Sequence, residues 1–182
     1  RILLNSKSKQ HPNGLGNSSD LVGKYLHDST GASRAAFVPA LMNRKVSYNE
    51  DGVGSNHVYS PWWGDNSKLD FPRGYHIEVG GGMKMPGYGF SFNPNEFNKF
   101  FGLKVGGYGD SLRDDVKKYY GSVLGVAGRG ESIARKENYC EIDPTTVDQF
   151  GIPVLKFNYK WSDLELKQAK HMQDTFEEIF HN

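Results

Sequence analysis

Three observations predict an α+β fold, an antiparallel or mixed β-sheet backed by helices. From Ala35 onward, short aromatic-rich segments are separated by Gly, Asn, Asp and Pro clusters, the punctuation of strands and turns. Val154–Lys160 alternates, with Leu155, Phe157 and Tyr159 on one side and Lys156, Asn158 and Lys160 on the other, as in an antiparallel sheet with one wetter face. Ser162–Phe180 instead places Ala169, Met172, Phe176 and Ile179 at spacings of three and four, the period of a helix. No segment repeats, so the two patterns combine in a mixed architecture.

At the start, Ile2-Leu3-Leu4 is a short apolar run, followed by a polar loop through Pro12-Asn13-Gly14. Ser18-Ser19-Asp20 then offers a cap for a short helix carrying Leu21, Val22, Tyr25 and Leu26. Expected strands follow at Ala35–Val38, Lys45–Tyr48, His57–Tyr59, Gly74–Val79 and Ser122–Ala127, before the alternating Val154–Lys160. Asn93-Pro94-Asn95-Glu96 opens a helix with Phe97, Phe100 and Phe101 on one face, and Gly102 stops it. Asp110–Tyr120 sets Leu112, Val116 and Tyr119 on one side and ends at Gly121. The final helix begins with Ser162 and Glu165 in capping-box spacing. Asp163 and Lys167 add a favourable pair one turn apart.

Composition narrows the function classes. A length of 182 residues fits one domain, or one domain plus a strip of another. The 13% aromatic share argues against disorder. With a net charge of +1 and dispersed Lys and Arg, nothing points to nucleic acid. One cysteine, Cys140, excludes an internal disulfide. No apolar run reaches the roughly 18 residues of a transmembrane segment.

The motifs are sparing. Gly80-Gly81-Gly82, Gly106-Gly107-Tyr108-Gly109 and Gly125-Val126-Ala127-Gly128-Arg129-Gly130 lack the spacing of a dinucleotide fingerprint or a phosphate loop. They read instead as bends, bulges or close backbone approach. The six histidines show no metal spacing. There is no G-x-S-x-G elbow, and Cys140 sits among acids that discourage a thiolate. Asn17-Ser18-Ser19 matches a glycosylation triplet. In Tyr75-His76-Ile77-Glu78-Val79, strand alternation sets His76 and Glu78 together opposite the apolar residues, as a polar pocket or a solvated outer face would require. Trp62-Trp63 with Tyr59 and Tyr88 could stack on a sugar ring, or pack as a buried aromatic cluster.

Three stretches together resemble the glucose–methanol–choline oxidoreductase family. The first is Ile2-Leu3-Leu4-Asn5-Ser6, Asn13-Gly14-Leu15-Gly16-Asn17-Ser18-Ser19 and Leu21–Asp28. The family form ends in Asp-His, whereas here Asp28 precedes Ser29. The second, Phe71–His76, Gly80-Gly81-Gly82 and Met85–Phe90, is similar to the bacterial branch related to gluconate and other sugar dehydrogenases. The third, Gly130-Glu131, Glu137-Asn138, Ile142-Asp143-Pro144 and Asp148–Val154, resembles a strand pair preceding a helix.

The resemblance implies a central part of an FAD-dependent enzyme that oxidises a CH–OH group of a sugar, polyol or related alcohol by hydride transfer to flavin. Residues 1–32 would be the end of the FAD-binding part, and 33–182 the substrate-binding domain with its C-terminal helix over 162–180. The Gly-rich fingerprint and the catalytic base would lie in N- and C-terminal parts outside residues 1–182, so no catalytic residue is assigned here and the chain alone would be inactive. Position in the matched motifs makes Asn17, Gly23 and Asp28 candidates for contact with FAD, and Arg129, Glu131 and His76 candidates for the substrate. The rival reading is a free-standing carbohydrate-binding module using Trp62, Trp63, Tyr59 and Tyr88.

Overall fold

The computed structural model describes residues 1–43, 58–61, 67–81, 98–99, 102, 104, 107–119 and 121–182. The fold is α+β with antiparallel sheets, as the strand alternation and the helical spacing require. Its contacts divide into two units, Arg1–Ser29 with Glu131–Leu166, and Thr30–Gly130 with Lys167–Asn182.

The second unit is built on a four-stranded sheet. Thr30–Phe37 (β1), Val58–Pro61 (β2), Tyr75–Gly81 (β3) and Val123–Gly130 (β4) lie in the order β1-β4-β3-β2, and every neighbour is antiparallel. The first strand starts at Thr30 rather than Ala35 because it pairs along its whole length with β4, from Thr30↔Gly130 to Phe37↔Val123. Its small polar beginning hid that pairing from a search for aromatic and β-branched runs. The expected strand at Lys45–Tyr48 lies outside the described residues, as does most of the helix opening at Asn93. Asn98 and Lys99 are helical, and Gly102, at φ +64°, returns its N–H to the Asn98 carbonyl at 3.0 Å. Asp110–Tyr119 (α2) half-buries Leu112, Val116 and Tyr119 as its spacing predicts. It gives way to Gly121 at φ +79°, a conformation that costs little only in glycine.

One face of the sheet is covered by Asp163–His181 (α3), whose residues from Lys167 onward belong to this unit. The core is Phe71, Tyr75, Ile77, Val126, Met172 and Phe176, with Ala32, Leu69, Val79 and Phe180 packed against it. Full burial of such a side chain stabilises by about 1.5–3 kcal/mol. Met172 and Phe176 are fully buried, but Ile179, expected on the same face, is 43% exposed. Phe180 takes its place, and polar Gln168 is buried where Ala169 was expected to lead. Close approach explains Gly128 and Gly130 of β4. A Cβ on Gly128 would meet Met172 Sδ at 2.6 Å and Phe176 Cζ at 3.1 Å.

The first unit holds a second sheet of two antiparallel strands, Tyr139–Val147 (β5) and Pro153–Asn158 (β6). Beyond Ile142↔Leu155 the register shifts, and Asp143 explains how the chain bends there. Its Oδ1 accepts from Thr145 N at 2.9 Å, Thr146 N at 2.7 Å and Thr145 Oγ1 at 3.0 Å. These bonds, that to Thr145 N foremost, hold its carboxyl down at about 2. The turn is tied by Asp148, whose Oδ1 accepts from Phe150 N at 2.9 Å and Ile152 N at 3.0 Å. Its other oxygen pairs with Arg1. Phe157 and Tyr159, expected on the sheltered side of the last strand, are 60% and 38% exposed.

The N-terminal segment differs from its expectation. Ile2–Asn5 (α1) is one helical turn, whereas residues 21–26 form turns and no helix. Asp20, Gly23 and Tyr25 all adopt positive φ, at +55°, +86° and +54°, and a right-handed helix cannot pass through such residues. The segment instead lies against β5, with Cys140 N donating to the Gly23 carbonyl at 2.7 Å and Leu26 N to the Asn138 carbonyl at 2.8 Å.

The capping box at the start of α3 forms as its spacing predicts. Glu165 Oε2 accepts from Ser162 N at 2.6 Å and also from the Ser162 hydroxyl. Its Oε1 takes Ile133 N at 3.0 Å, and Arg135 stands 3.7 Å away. Burial alone pushes the Glu165 carboxyl up, but these hydrogen bonds and the arginine outweigh it, and the net shift is downward.

Candidate functional site

Strand alternation gives the four-stranded sheet two unlike faces. Tyr75, Ile77, Gly128 and Gly130 point to α3. The residues between them point the other way, and register fixes who stands beside whom. His76 on β3 is the cross-strand partner of Arg129 on β4, and Arg129 in turn is the partner of Gly31 on β1. In the next row Glu78 stands beside Ala127 and Ser33, and beyond it Gly80 beside Gly125 and Ala35. One end of this face is polar, the rows across β4 and β1 are then small, and Phe37 beside Val123 stands at the far end.

Within the polar end, His76 Nε2 and Glu78 Oε1 are 2.9 Å apart, and the two side chains keep 28% and 18% of their exposure. Two residues apart on one strand, they share a face and reach each other without distortion. Arg129 is exposed on the same face. Of the residues singled out for substrate, the structure therefore brings His76 and Arg129 together. Glu131 is exposed and belongs to the other unit.

The three residues singled out for the cofactor all lie in that other unit, in one loop. Asn17 is 5% exposed. Its Nδ2 donates to the Asn13 carbonyl at 2.9 Å, and its Oδ1 accepts from Val22 N at 2.9 Å. An amide so engaged holds the loop in shape and is not presented as a glycosylation acceptor. Gly23 is pressed on β5, where a Cβ would stand 2.4 Å from the Cys140 carbonyl oxygen. Asp28 is exposed, accepts from Ser29 N at 2.7 Å through Oδ1, and receives the Ser132 hydroxyl at its carbonyl.

Glu78 was the partner that residue-type scanning passed over as a site residue, although the alternation that singled out His76 also carries it. Trp62, Trp63 and Tyr88 lie outside the described residues, as does the side chain of Tyr59. Among the described residues no group of three or more His, Cys, Asp or Glu is arranged to hold a metal ion, and no helix is long and apolar enough to cross a membrane.

Against this geometry the comparison with known proteins is informative. The chain is 26% identical over 172 residues to a 2-methyl-1,2-propanediol dehydrogenase of Mycolicibacterium austroafricanum. The match is to a dehydrogenase. It takes in 94% of this chain and 29% of the relative, so the chain spans less than a third of the length of the curated protein it matches. No family model matches.

Proposed function

We propose that this chain is the substrate-binding part of an FAD-dependent oxidoreductase of the glucose–methanol–choline family, in the branch of bacterial sugar dehydrogenases. Its substrate is a sugar, polyol or related alcohol oxidised at a CH–OH group. The observation that carries the reading is the likeness to a diol dehydrogenase along 94% of the chain. Residues 1–32 belong in this reading to the FAD-binding part, and 33–182 to the substrate domain.

The residues present suit part of such a cofactor. Across β4 and β1 the rows Gly125–Ala35 and Ala127–Ser33 carry only small residues, between Arg129 at one end and Phe37 at the other, and a flat ring can approach a backbone that carries no large side chains. The loop holding Asn17, Gly23 and Asp28 is shaped by its own hydrogen bonds and offers exposed Asp28 as its polar contact. The sequence carries no G-x-G-x-x-G fingerprint, so in this reading the ADP portion is held by residues outside 1–182.

Flavin, when bound, supplies the acceptor for the hydride of the alcohol carbon. This chain's contribution is orientation. His76 and Arg129 hold hydroxyl groups of the substrate, and Glu131 is a further candidate for that contact by its place in the matched motif. The base that removes the hydroxyl proton comes from the C-terminal part.

The test is spectroscopic. The full-length protein, purified and mixed anaerobically with a polyol, is expected to carry a flavin spectrum that bleaches on reduction. A full-length protein without flavin would sink the reading.

A further inference from the structure

We infer that the outer edge of β6, at Leu155 and Phe157, is a docking edge for an extended segment of the same protein from outside residues 1–182. The segment adds to the hairpin as a further strand. The inference rests on the reading of the chain as one part of a longer protein, and it names the surface and the kind of segment that surface takes. It does not depend on flavin.

Hydrogen-bond parity identifies the edge. In an antiparallel pair the N–H and C=O of one residue point to the same side, and successive residues alternate. Cys140 N donates to the Gly23 carbonyl at 2.7 Å, so Cys140 turns its backbone groups away from β6. Its cross-strand partner Phe157, and Leu155 two residues before it, therefore turn theirs away from β5. Pro153 has the same parity, and its carbonyl accepts from Arg1 Nε at 3.0 Å and from Asn5 Nδ2 at 3.0 Å. The start of the outer edge is thus engaged. Beyond it, among the described residues, β6 has no strand on that side, and no backbone group bonds to Leu155 or Phe157 from there.

An edge of this kind is a template for another strand unless proline, a bulge or an inward charge blunts it. Between Leu155 and Asn158, β6 carries neither proline nor a register shift, and Lys156 stands beside Glu141 on β5. Phe157 is 60% exposed, and the hairpin end adds exposed Val147, Phe150 and Ile152. Two strands alone are marginal, and a further strand supplies both backbone bonds and apolar cover.

Length and charge select the occupant. The match takes in 94% of this chain but 29% of the dehydrogenase, so most of a protein of that size lies elsewhere and one short strand of it suffices. A second copy fits less well. Docked with Leu155 against Phe157, it would set one Lys156 directly opposite the other, and like charges so placed repel. The side chains of Leu155 and Phe157 share a face with Ile142 and Cys140. The incoming strand therefore carries apolar residues opposite those two and an acid or hydrogen-bonding residue opposite Lys156.

The experiment uses the full-length protein. Amide exchange resolved to single residues compares Leu155 and Phe157 with Lys156 and Asn158, which face β5. A paired edge protects all four, whereas a free edge protects only the last two. Leu155 and Phe157 are expected to exchange at least about tenfold more slowly than unprotected amides, the size of one hydrogen bond. Benzoylphenylalanine introduced at position 157 should photo-cross-link to a peptide of the same chain outside residues 1–182. Leu155→Pro, which removes an outward N–H, should restore fast exchange at Phe157. If that variant fails to fold, Phe157→Glu, which puts a charge at the apolar contact, should do the same at Leu155. Unprotected Leu155 and Phe157 amides, or a cross-link within 1–182, would overturn the inference. So would a cross-link between two chains that is lost on dilution, the mark of a second copy. Flavin absorbance is read on the same sample. Its absence beside a protected, cross-linked edge would overturn the flavin reading alone, and a flavin-loaded protein with a free edge would overturn this inference alone.

Discussion

Gly130 lies directly beneath Gln168, so that a Cβ on the glycine would come within 2.1 Å of the glutamine Oε1 and 2.8 Å of Met172 Cε. Gln168 is 2% exposed and donates through Nε2 to the Gly74 carbonyl at 3.3 Å. Helix and sheet therefore meet at a separation that one methyl group would change. Gly130→Ala and Gly128→Ala are each expected to destabilise by about 1–3 kcal/mol, the cost of overpacking a filled core. The loss should appear as a lower urea midpoint at unchanged slope. Combining Gly130→Ala with Gln168→Ala should cost less than the two single changes summed, because the second removes the atoms that the first strikes.

Acid should weaken the start of the last helix through Glu165. Its folded pKa is lowered from 4.5, with burial opposed by the bonds from Ser162 and Ile133 and by Arg135. A lowered acid contributes stability that is present above its unfolded value and lost as pH falls through the folded one. Stability measured from pH 7 downward is expected to drop below about 4.5, and Glu165→Gln should flatten that limb. At neutral pH, Glu165→Ala is expected to cost about 1–3 kcal/mol, since it strands the N–H groups of Ser162 and Ile133.

Half-buried Asp143 gives a site-resolved counterpart. Three hydrogen bonds from Thr145 and Thr146 hold its carboxyl near 2. An NMR titration should find it ionised well below the ordinary 3.8. The turn it organises should loosen only as pH falls from 3.8 toward 2. A midpoint near the ordinary value would show that the turn is not held this way.

Tyr75 joins β3 to α3 by chemistry as well as by packing. Its hydroxyl lies 2.8 Å from His171 Nδ1 and 3.1 Å from Thr175 Oγ1, and burial pushes its pKa up. Tyr75→Phe keeps the ring contact with His171, whose centroid is 5.8 Å away, and removes only the oxygen. A loss of about 1 kcal/mol in denaturant unfolding is expected. Tyr75→Leu, which removes the ring as well, should cost more.

Local signals in the sequence proved legible where one residue type has one favoured place. Ser162 and Glu165 cap the helix they were expected to cap, and His76 and Glu78 share the face that alternation gave them. Signals failed where tertiary contacts overruled type. Gln168 is buried although polar, its Nε2 bonded to the Gly74 carbonyl, and Glu165 is buried with its two oxygens bonded by Ser162 and Ile133. That turns the buried stripe from Ile179 toward Phe180. The helix expected at residues 21–26 is absent because Asp20 and Tyr25, residues that rarely take positive φ, do so beside Gly23. The meeting of His76 and Arg129 was not legible, because it depends on β4 lying between β1 and β3.

That strand order also dictates when the sheet can form. Thr30 must wait for Gly130 to find its partner, and Tyr75 waits for the same residue from its other side. Met172 and Phe176, which seal the core, come later still. Such long-range closure slows folding and leaves strand edges open meanwhile. On a ribosome the sheet would stay unfinished until Gly130 had emerged and its core uncovered until Phe176 had, and a chaperone that shields β1 and β3 in the interval would raise the yield of folded protein.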